Sequence, residues 1–332
     1  MAKKKLLVLA GIGVATALVV VILGAYTRLV DAGLGCPDWP GCYGFIGIPD
    51  SVSEISLANS RFPDAPVEPE KALWEMVHRY FATGLGALVL VMAIVAWRNR
   101  VTVANPQGVP SKLPLALLVL VIVQGAFGAW TVTLKLWPQV VTAHLLGGFA
   151  TLSLLWLLCL RLGVGAGWAV PRQVRGLAGL ALAILVLQIA LGGWVSSNYA
   201  ALACPDFPTC HGEWLPDMDL AEGFDVTQSV GPNYLGGLME SDARVGIQVA
   251  HRLGAVLALV AIGLLGVRLL RAGSPLAWPL LGLLGVQLLL GVLNVVLVLP
   301  LANATLHNAV GALLLLATVT VNYRAAVGSG PP

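Results

Sequence analysis

The segment Glu75-x-x-His78-Arg79 combines residue types that are rare at the mouth of a membrane helix, and an apolar run over 81–96 follows it. A histidine nitrogen can ligate a metal ion. Glu75 precedes His78 by three residues, so both side chains share one helix face. A carboxylate there can act as a general base or stabilise a developing positive charge beside a bound cofactor. Pairing of Glu75 with Arg79 or Lys71 alone is the structural alternative.

A second segment, Gln248-x-x-His251-Arg252, repeats the pattern before another apolar run. The histidine and the arginine recur, whereas the carboxylate has become an amide. An amide carries no negative charge and cannot replace a carboxylate as a base or as an electrostatic stabiliser. We therefore expect a reactive site at the first segment and, at the second, a site that only holds a cofactor for electron transfer.

The composition is that of a polytopic helical membrane protein. Of the 332 residues, 58% are hydrophobic and 11% are charged, whereas soluble domains carry about 25% charged residues. Apolar runs of about 20 residues are long enough to cross a bilayer. A cleaved signal peptide is the alternative for the first run only. We predict eight membrane helices, at about 6–25, 75–97, 113–134, 140–160, 176–197, 244–267, 276–299 and 304–322.

Charge asymmetry orients these helices. Every Asp and Glu lies on one side of the predicted membrane. In the segments on the side of the N-terminus, the only charged residues are Lys and Arg. The positive-inside rule then places both termini in the cytoplasm and the long loops, at about 28–73 and 198–243, outside. We expect a bacterial cytoplasmic membrane, because no transit-like extension precedes Lys3.

The chain is predicted to be an internal duplication. The motifs C-P-D-W-P-G-C at 36–42 and C-P-D-F-P-T-C at 204–210 correspond. A Gln-x-x-x-Gly pattern begins twenty residues before His144, and the same pattern begins twenty residues before His307. Both halves enter the membrane from the same side, so we predict two four-helix bundles, over 1–165 and 166–332, related by a pseudo-twofold axis along the membrane normal.

Each half then holds two histidines near the outer ends of two helices. Zinc normally takes three or four ligands, and the helices offer no third ligand beside either pair. Two imidazoles from different helices suit the axial positions of a haem iron. The sequence therefore predicts one haem ligated by His78 and His144, and another ligated by His251 and His307. Histidines bonded to loop backbone are the structural alternative.

Other residue types extend this interpretation. Arg79 and Arg252 lie at the helix mouths and are candidate contacts for haem propionates; interfacial snorkelling is the alternative. Small side chains near the histidines are expected to leave room for a macrocycle, although they also serve helix packing. These are Gly84, Gly86, Gly147, Gly148, Gly254, Ala255 and Gly311.

The cysteines form two pairs in the outward loops, Cys36 with Cys42 and Cys204 with Cys210. An outer compartment permits disulfides. Structural disulfides are the default expectation, and a redox pair that exchanges electrons with an outside oxidoreductase is the alternative. Cys159 lies within a predicted helix, where we expect a packed thiol.

At these residues the chain resembles the haem A synthases, membrane enzymes that oxidise haem O to haem A for haem-copper oxidases. The resemblance extends from Gly24 to about Tyr323 and depends on the Glu-x-x-His-Arg segment, the later His-Arg, the single histidines of the fourth and eighth helices and the first cysteine pair. It implies oxidation of a porphyrin methyl group to a formyl group through an alcohol.

The same resemblance assigns roles to residues of this chain. It implies that His78 and His144 host the substrate haem O, that His251 and His307 hold haem b, and that Glu75 is the catalytic carboxylate. It implies a functional disulfide between Cys36 and Cys42 and leaves the role of the second cysteine pair open. The partners implied are the lipid bilayer, haem O synthase and an outer-face electron or thiol partner; no nucleic acid is expected.

Two other functions fit parts of the pattern. A di-haem b-type electron carrier explains the four histidines but not why one half alone has a carboxylate beside its ligand. A transporter with parallel repeats predicts broken helices and polar residues at mid-membrane depth, and the apolar runs are nearly free of them.

The charge pattern makes a testable prediction about topology. A membrane-impermeant thiol reagent applied to intact cells should label a Ser53→Cys variant and not a Gly167→Cys variant, because the first position lies in a predicted outer loop and the second in a predicted cytoplasmic one. Permeabilised cells should label both, and the parent chain gives the background from its own cysteines. Labelling of Gly167→Cys alone in intact cells would reverse the orientation.

Overall fold

The computed structural model describes residues 2–102 and 105–327, so Met1 and 328–332, the extreme ends of the two predicted domains, lie outside the described residues. Within those ranges the chain is helical, and its β pairing is limited to isolated bridges. The helices are α1 (Ala2–Leu29), α2 (Val52–Arg61), α3 (Pro69–Arg98), α4 (Lys112–Thr133), α5 (Pro138–Arg161), α6 (Arg175–Ser197), α7 (Leu220–Gly223), α8 (Ser241–Arg271), α9 (Ala277–Val296) and α10 (Leu301–Val327).

Eight of these helices are long and apolar enough to span a membrane, which confirms the predicted all-α, eight-span architecture. They are α1, α3, α4, α5, α6, α8, α9 and α10.

The ends of the helices differ from the hydropathy prediction in two ways. α3 and α8 begin at Pro69 and Ser241, earlier than the predicted 75 and 244, because hydropathy marks only the apolar part of a helix that continues into the outer loop. Pro69 suits a first helical position. Conversely, α9 ends before the predicted 299, because Val298 and Leu299 have positive φ angles of 58° and 57° and turn the chain.

The spans pack as two rings of four. In the first half, α1 and α4 each pack against both α3 and α5; in the second half, α6 and α9 each pack against both α8 and α10. The helices that carry histidines, α3 with α5 and α8 with α10, therefore lie diagonally across their rings. The halves meet where α10 packs against α1 and α5, and where α5 packs against α6.

The local backbone repeats between the halves. The Trp39-Pro40 and Phe207-Pro208 peptides are both cis, and Tyr43 and His211 both have positive φ angles, of 55° and 54°. These positions correspond in the two loop motifs, so the matching sequence encodes matching turns.

Packing is uneven along the bundles. The half of each bundle near the chain termini is closely packed, with Leu6, Met92 and Leu155 fully buried in the first half and Ile262 and Leu265 in the second. Near the histidines the packing opens: every residue of α1 over 20–26 and of α5 over 141–148 keeps part of its surface accessible. Because such runs cover a whole turn of helix, they border open space inside the bundle as well as the lipid-facing side.

Candidate functional site

The first histidine pair lies in this open part of the first bundle. His78 is on α3 and His144 is on α5. The ring of His78 is surrounded by protein and is within electrostatic reach of His144, yet both side chains remain partly accessible. Both residues keep part of their surface accessible, so the packing around the pair is not complete. The structure thus brings these two residues together across the bundle.

The second pair has the same placement. His251 on α8 is surrounded by protein and is within electrostatic reach of His307 on α10. Both side chains again remain partly accessible. The two bundles therefore place their histidine pairs in the same way, between diagonal helices.

A glycine from a neighbouring helix approaches each of the four rings. At three of the four positions a Cβ would lie closer to the ring than side chains normally do, so these positions favour glycine. The distance from such a Cβ to the ring Cε1 is 3.0 Å for Gly24 and His78, 3.6 Å for Gly128 and His144, 3.2 Å for Gly192 and His251, and 3.2 Å for Gly291 and His307.

The small residues that we expected to open the pockets have other surroundings. Gly84 is exposed and a Cβ there would meet no atom within 4 Å. Gly147, Gly254 and Gly311 face glutamines of neighbouring helices. The expectation that these small residues leave room for a macrocycle stays a prediction; the glycines that contact the rings are others, and three of the four follow a Gln-x-x-x-Gly interval.

Glutamines make the second signal that the sequence interpretation missed. In the second half, the Nε2 of Gln188 lies 3.1 Å from Nδ1 of His251 and donates to its carbonyl oxygen at 3.0 Å. The Nε2 of Gln287 lies 3.3 Å from Nε2 of His307. Val20 stands in the first half where Gln188 stands in the second, so this amide contact has no counterpart at His78.

The donor sets fit two axially ligated haems. Among the described residues, the Nδ1 atoms of His78, His144 and His307 are buried without a hydrogen-bond partner. An orphaned nitrogen in an apolar bundle is costly, so these rings have capacity for a further polar partner or a metal ion. Within the described ranges no group of three or more His, Cys, Asp or Glu side chains could hold a metal ion. Each histidine pair offers two imidazoles, a set that suits the two axial positions of a haem iron.

Glu75 lies at the outer mouth of the first bundle, and the residue is 5% exposed. Its Oε2 accepts a hydrogen bond from the backbone N–H of Cys36 at 2.8 Å, and its Oε1 pairs with Nη2 of Arg79. Lys71 pairs with Glu68 instead, at 2.8 Å. The carboxylate is therefore held by Arg79 and the disulfide loop, and the alternative pairing with Lys71 is not formed.

Gln248 occupies the equivalent place in the second bundle and is equally buried, at 5% exposure. Its Oε1 has no hydrogen-bond partner among the described residues. The two mouths thus differ in charge and in how firmly the side chain is held.

Both cysteine pairs form disulfides, with S–S distances of 2.03 Å for Cys36–Cys42 and 2.01 Å for Cys204–Cys210. All four sulfur-bearing residues are buried; their exposed fractions are between 0% and 2%. Burial supports the structural interpretation, because exchange with an outside thiol requires access to a sulfur atom. Cys159 is a buried free thiol, as expected.

An aspartate braces each disulfide loop. In the second loop, the Asp206 carboxylate accepts hydrogen bonds from the Thr209 hydroxyl and from the backbone N–H groups of Gly212 and His211. These bonds lower the pKa of the Asp206 carboxyl to about 2. Asp38 accepts from the N–H groups of Tyr43 and Gly44 in the same way. The second loop therefore keeps a negatively charged Asp206 across the physiological pH range.

The outer segment 213–243 of the second half lies against the first. The Trp137 side chain donates to the carbonyl of Gln228 at 3.1 Å, and Gln139 donates to the carbonyl of Val226 at 3.1 Å. The N–H of Tyr234 donates to the carbonyl of Lys135 at 3.0 Å. This segment, for which the sequence suggested no role, ties the outer ends of the halves together.

Comparison with known proteins supplies the family. A sequence profile described as cytochrome oxidase assembly protein matches residues 7–319. A haem A synthase from Shewanella oneidensis is 49% identical over 311 residues, which cover 92% of this chain and 92% of that protein. A haem A synthase from Rhizorhabdus wittichii is 30% identical over 325 residues, which cover 92% of this chain and 89% of that protein.

The eight spans and the buried histidine pairs define the class, a multi-span membrane protein with paired histidines facing an open space in each bundle. The length and the sequence identity of the matches then identify the family within that class. The chain belongs to the haem A synthase family.

The glycine contacts generate a prediction with an internal control. Gly24→Val should push the His78 ring aside and weaken retention of the first haem about tenfold, because overpacking costs on the order of 1–3 kcal/mol. Gly192→Val should affect the second haem instead. Chromatography of haem extracted from each purified variant measures both occupancies. Equal loss of both haems in both variants would show that the glycines support the bundles rather than the individual rings.

Proposed function

We propose that this chain is the enzyme that oxidises one methyl group of haem O to a formyl group, through an alcohol, and so makes haem A for haem-copper oxidases. The observation that carries the proposal is the buried Glu75 beside His78 in one bundle, opposite the uncharged Gln248 beside His251 in the other. A chain that only carried electrons between two equal haems would have no need of that difference. Relatives named haem A synthase support the same function.

His78 and His144 would hold the substrate haem O, and His251 and His307 would hold haem b as the electron-accepting group. When bound, the haems supply the redox chemistry. The second pair has amide contacts from Gln188 and Gln287, which suit a permanently held cofactor. Arg79 and Arg252 remain candidates for propionate contacts, although the structure also gives their guanidinium groups other partners.

Glu75 has one of two roles, base or electrostatic stabiliser, and the geometry favours the second. Both of its oxygens already accept hydrogen bonds, from Cys36 N–H and from Arg79. Donors of this kind stabilise the ionised form and hold it in one orientation. A fixed negative charge stabilises the electron-deficient carbon that methyl oxidation produces. Burial excludes water from this side of the site.

We propose the surrounding organisation on the same basis. The halves 1–165 and 166–332 are two domains related by a pseudo-twofold axis, as their matching ring contacts and turns support. The charge pattern supports a bacterial cytoplasmic membrane with both termini inside and the haem sites toward the periplasmic face. Haem O synthase is the natural supplier of substrate, and an outer-face electron or thiol partner completes the cycle.

Glu75→Gln tests the catalytic assignment, because it gives the first half the side chain of the second. The variant should retain both haems and make haem A about 100-fold more slowly, the lower end of what a positioned acid–base or charged group contributes. The measurement is conversion of haem O to haem A by the purified protein, followed by chromatography. Gln248→Glu on the Glu75→Gln background is the control and should not restore the rate. Haem A production at the normal rate by Glu75→Gln would refute the assignment.

The identity of the extracted haems tests the function as a whole. Protein purified from cells that make haem O should contain haem b together with haem O or haem A. His78→Ala and His144→Ala should lose haem O and keep haem b, whereas His251→Ala and His307→Ala should lose haem b. Haem b alone in the parent protein would favour the di-haem electron carrier.

A further inference from the structure

Arg79 contacts more of the first outer loop than any propionate role requires, and it does so while holding Glu75. We propose that Arg79 is a positioning residue: it clamps the Cys36–Cys42 loop to α3 and fixes the carboxylate of Glu75 in the orientation that the reaction needs. The inference rests on the proposed function, in which Glu75 acts at the first haem. In this role Arg79 acts through Glu75, and the role replaces the propionate contact considered for Arg79 above.

The clamp consists of one guanidinium group between the loop and the carboxylate. Nη1 of Arg79 donates to the carbonyl oxygens of Asp38 at 3.0 Å, Pro40 at 3.3 Å and Gly41 at 2.5 Å. Nη2 pairs with Oε1 of Glu75. Both terminal nitrogens thus have protein partners, and a propionate would have to displace one of them.

The loop supplies the second hydrogen-bond donor to the Glu75 carboxylate. The backbone N–H of Cys36 donates to Oε2 of Glu75 at 2.8 Å. A Cβ at Gly35 would overlap the backbone of α3 at Lys71 and Ala72, so the chain before Cys36 lies directly on the helix. Each carboxylate oxygen therefore has one donor, and both donors depend on the seating of the same loop.

The second half shows what the clamp does without a carboxylate. Nη1 of Arg252 donates to the carbonyl of Thr209 at 2.7 Å, and its Nη2 donates to the carbonyls of Asp206 at 2.8 Å and Cys204 at 3.1 Å. All of these partners are in the disulfide loop. Arg79 differs from Arg252 because its Nη2 pairs with the Glu75 carboxylate and not with carbonyls of the loop. The arginine–loop clamp is common to both halves, and only the first half uses it to hold a charge.

The clamp also explains why a buried charge can remain at the mouth. A carboxylate at 5% exposure is costly unless it is paired and hydrogen-bonded. A bidentate-capable guanidinium and a backbone N–H satisfy both oxygens. Lysine could supply the charge, but its three donors are all on one nitrogen and could not reach the carboxylate and the three carbonyls together.

Arg79→Gln and Arg79→Lys test the proposal in purified full-length protein. In Arg79→Gln, kcat for haem A formation should fall about 100-fold, the effect expected of a catalytic group displaced by about 1 Å. The KM for haem O and the haem O and haem b bound per protein should stay within twofold. Arg79→Lys should recover about a tenth of the parent kcat, because the charge pair re-forms while the loop contacts do not.

A double variant shows whether Arg79 acts through Glu75. Glu75→Gln with Arg79→Gln should be no slower than Glu75→Gln alone, since the residue to be positioned is already absent. Additive losses would assign Arg79 a role of its own. A raised KM with loss of haem O and an unchanged kcat would make it a propionate ligand and overturn the proposal.

The disulfides provide a matched control. Cys36→Ala with Cys42→Ala should lower kcat in the manner of Arg79→Gln, because the Cys36 N–H and the clamped carbonyls lose their seating. Cys204→Ala with Cys210→Ala should change kcat less than twofold, since that loop holds no carboxylate. Equal losses from both pairs would refute the positioning role. A normal rate in Glu75→Gln would refute the proposed function, whereas a slow Glu75→Gln with a normal Arg79→Gln would refute this inference alone.

Discussion

The organisation of the first site depends on one buried carboxylate, that of Glu75, and on the hydrogen-bond donors that its two oxygens need. In a bilayer, polar groups have to be satisfied by the protein itself, because lipid offers no donors. Glu75 obtains its two donors from a helix neighbour, Arg79, and from the backbone of a loop that a disulfide closes. Helix, arginine and loop are therefore mutually dependent, and a change in any one of them reaches the carboxylate.

Stability and function occupy different depths of the same bundles. The half near the chain termini is packed with fully buried aliphatic side chains such as Leu158 and Leu265, and this packing holds the helices without any cofactor contact. The outer half is less closely packed around the histidines. Polar contacts hold it together, such as the hydrogen bond from Trp137 to the outer segment of the second half. An open, ligand-ready region can thus coexist with a rigid frame.

Sequence patterns sufficed for the features that depend on local periodicity. The eight spans follow from hydropathy, and the common face of Glu75 and His78 follows from helical spacing. The partners of Arg79 could not be predicted, because they are backbone carbonyls whose positions depend on how the loop folds back onto α3. The glycines that contact the rings lie on neighbouring helices, so only the pairing of helices identifies them. Their repeated Gln-x-x-x-Gly interval was visible in the sequence but did not specify which ring each would meet.

The duplication explains how one frame can serve two purposes. Both bundles place a histidine against a glycine and an arginine against a disulfide loop, so the frame around the histidines is common to both halves. The differences are confined to single side chains: Glu75 against Gln248 at the mouth, and Val20 against Gln188 beside the histidine. An amide contacts the ring of His251, whereas the aliphatic Val20 offers no amide to the ring of His78. The carboxylate and the missing amide occur in the same half, so the proposed substrate site differs from the proposed haem b site in both its charge and its ring contacts.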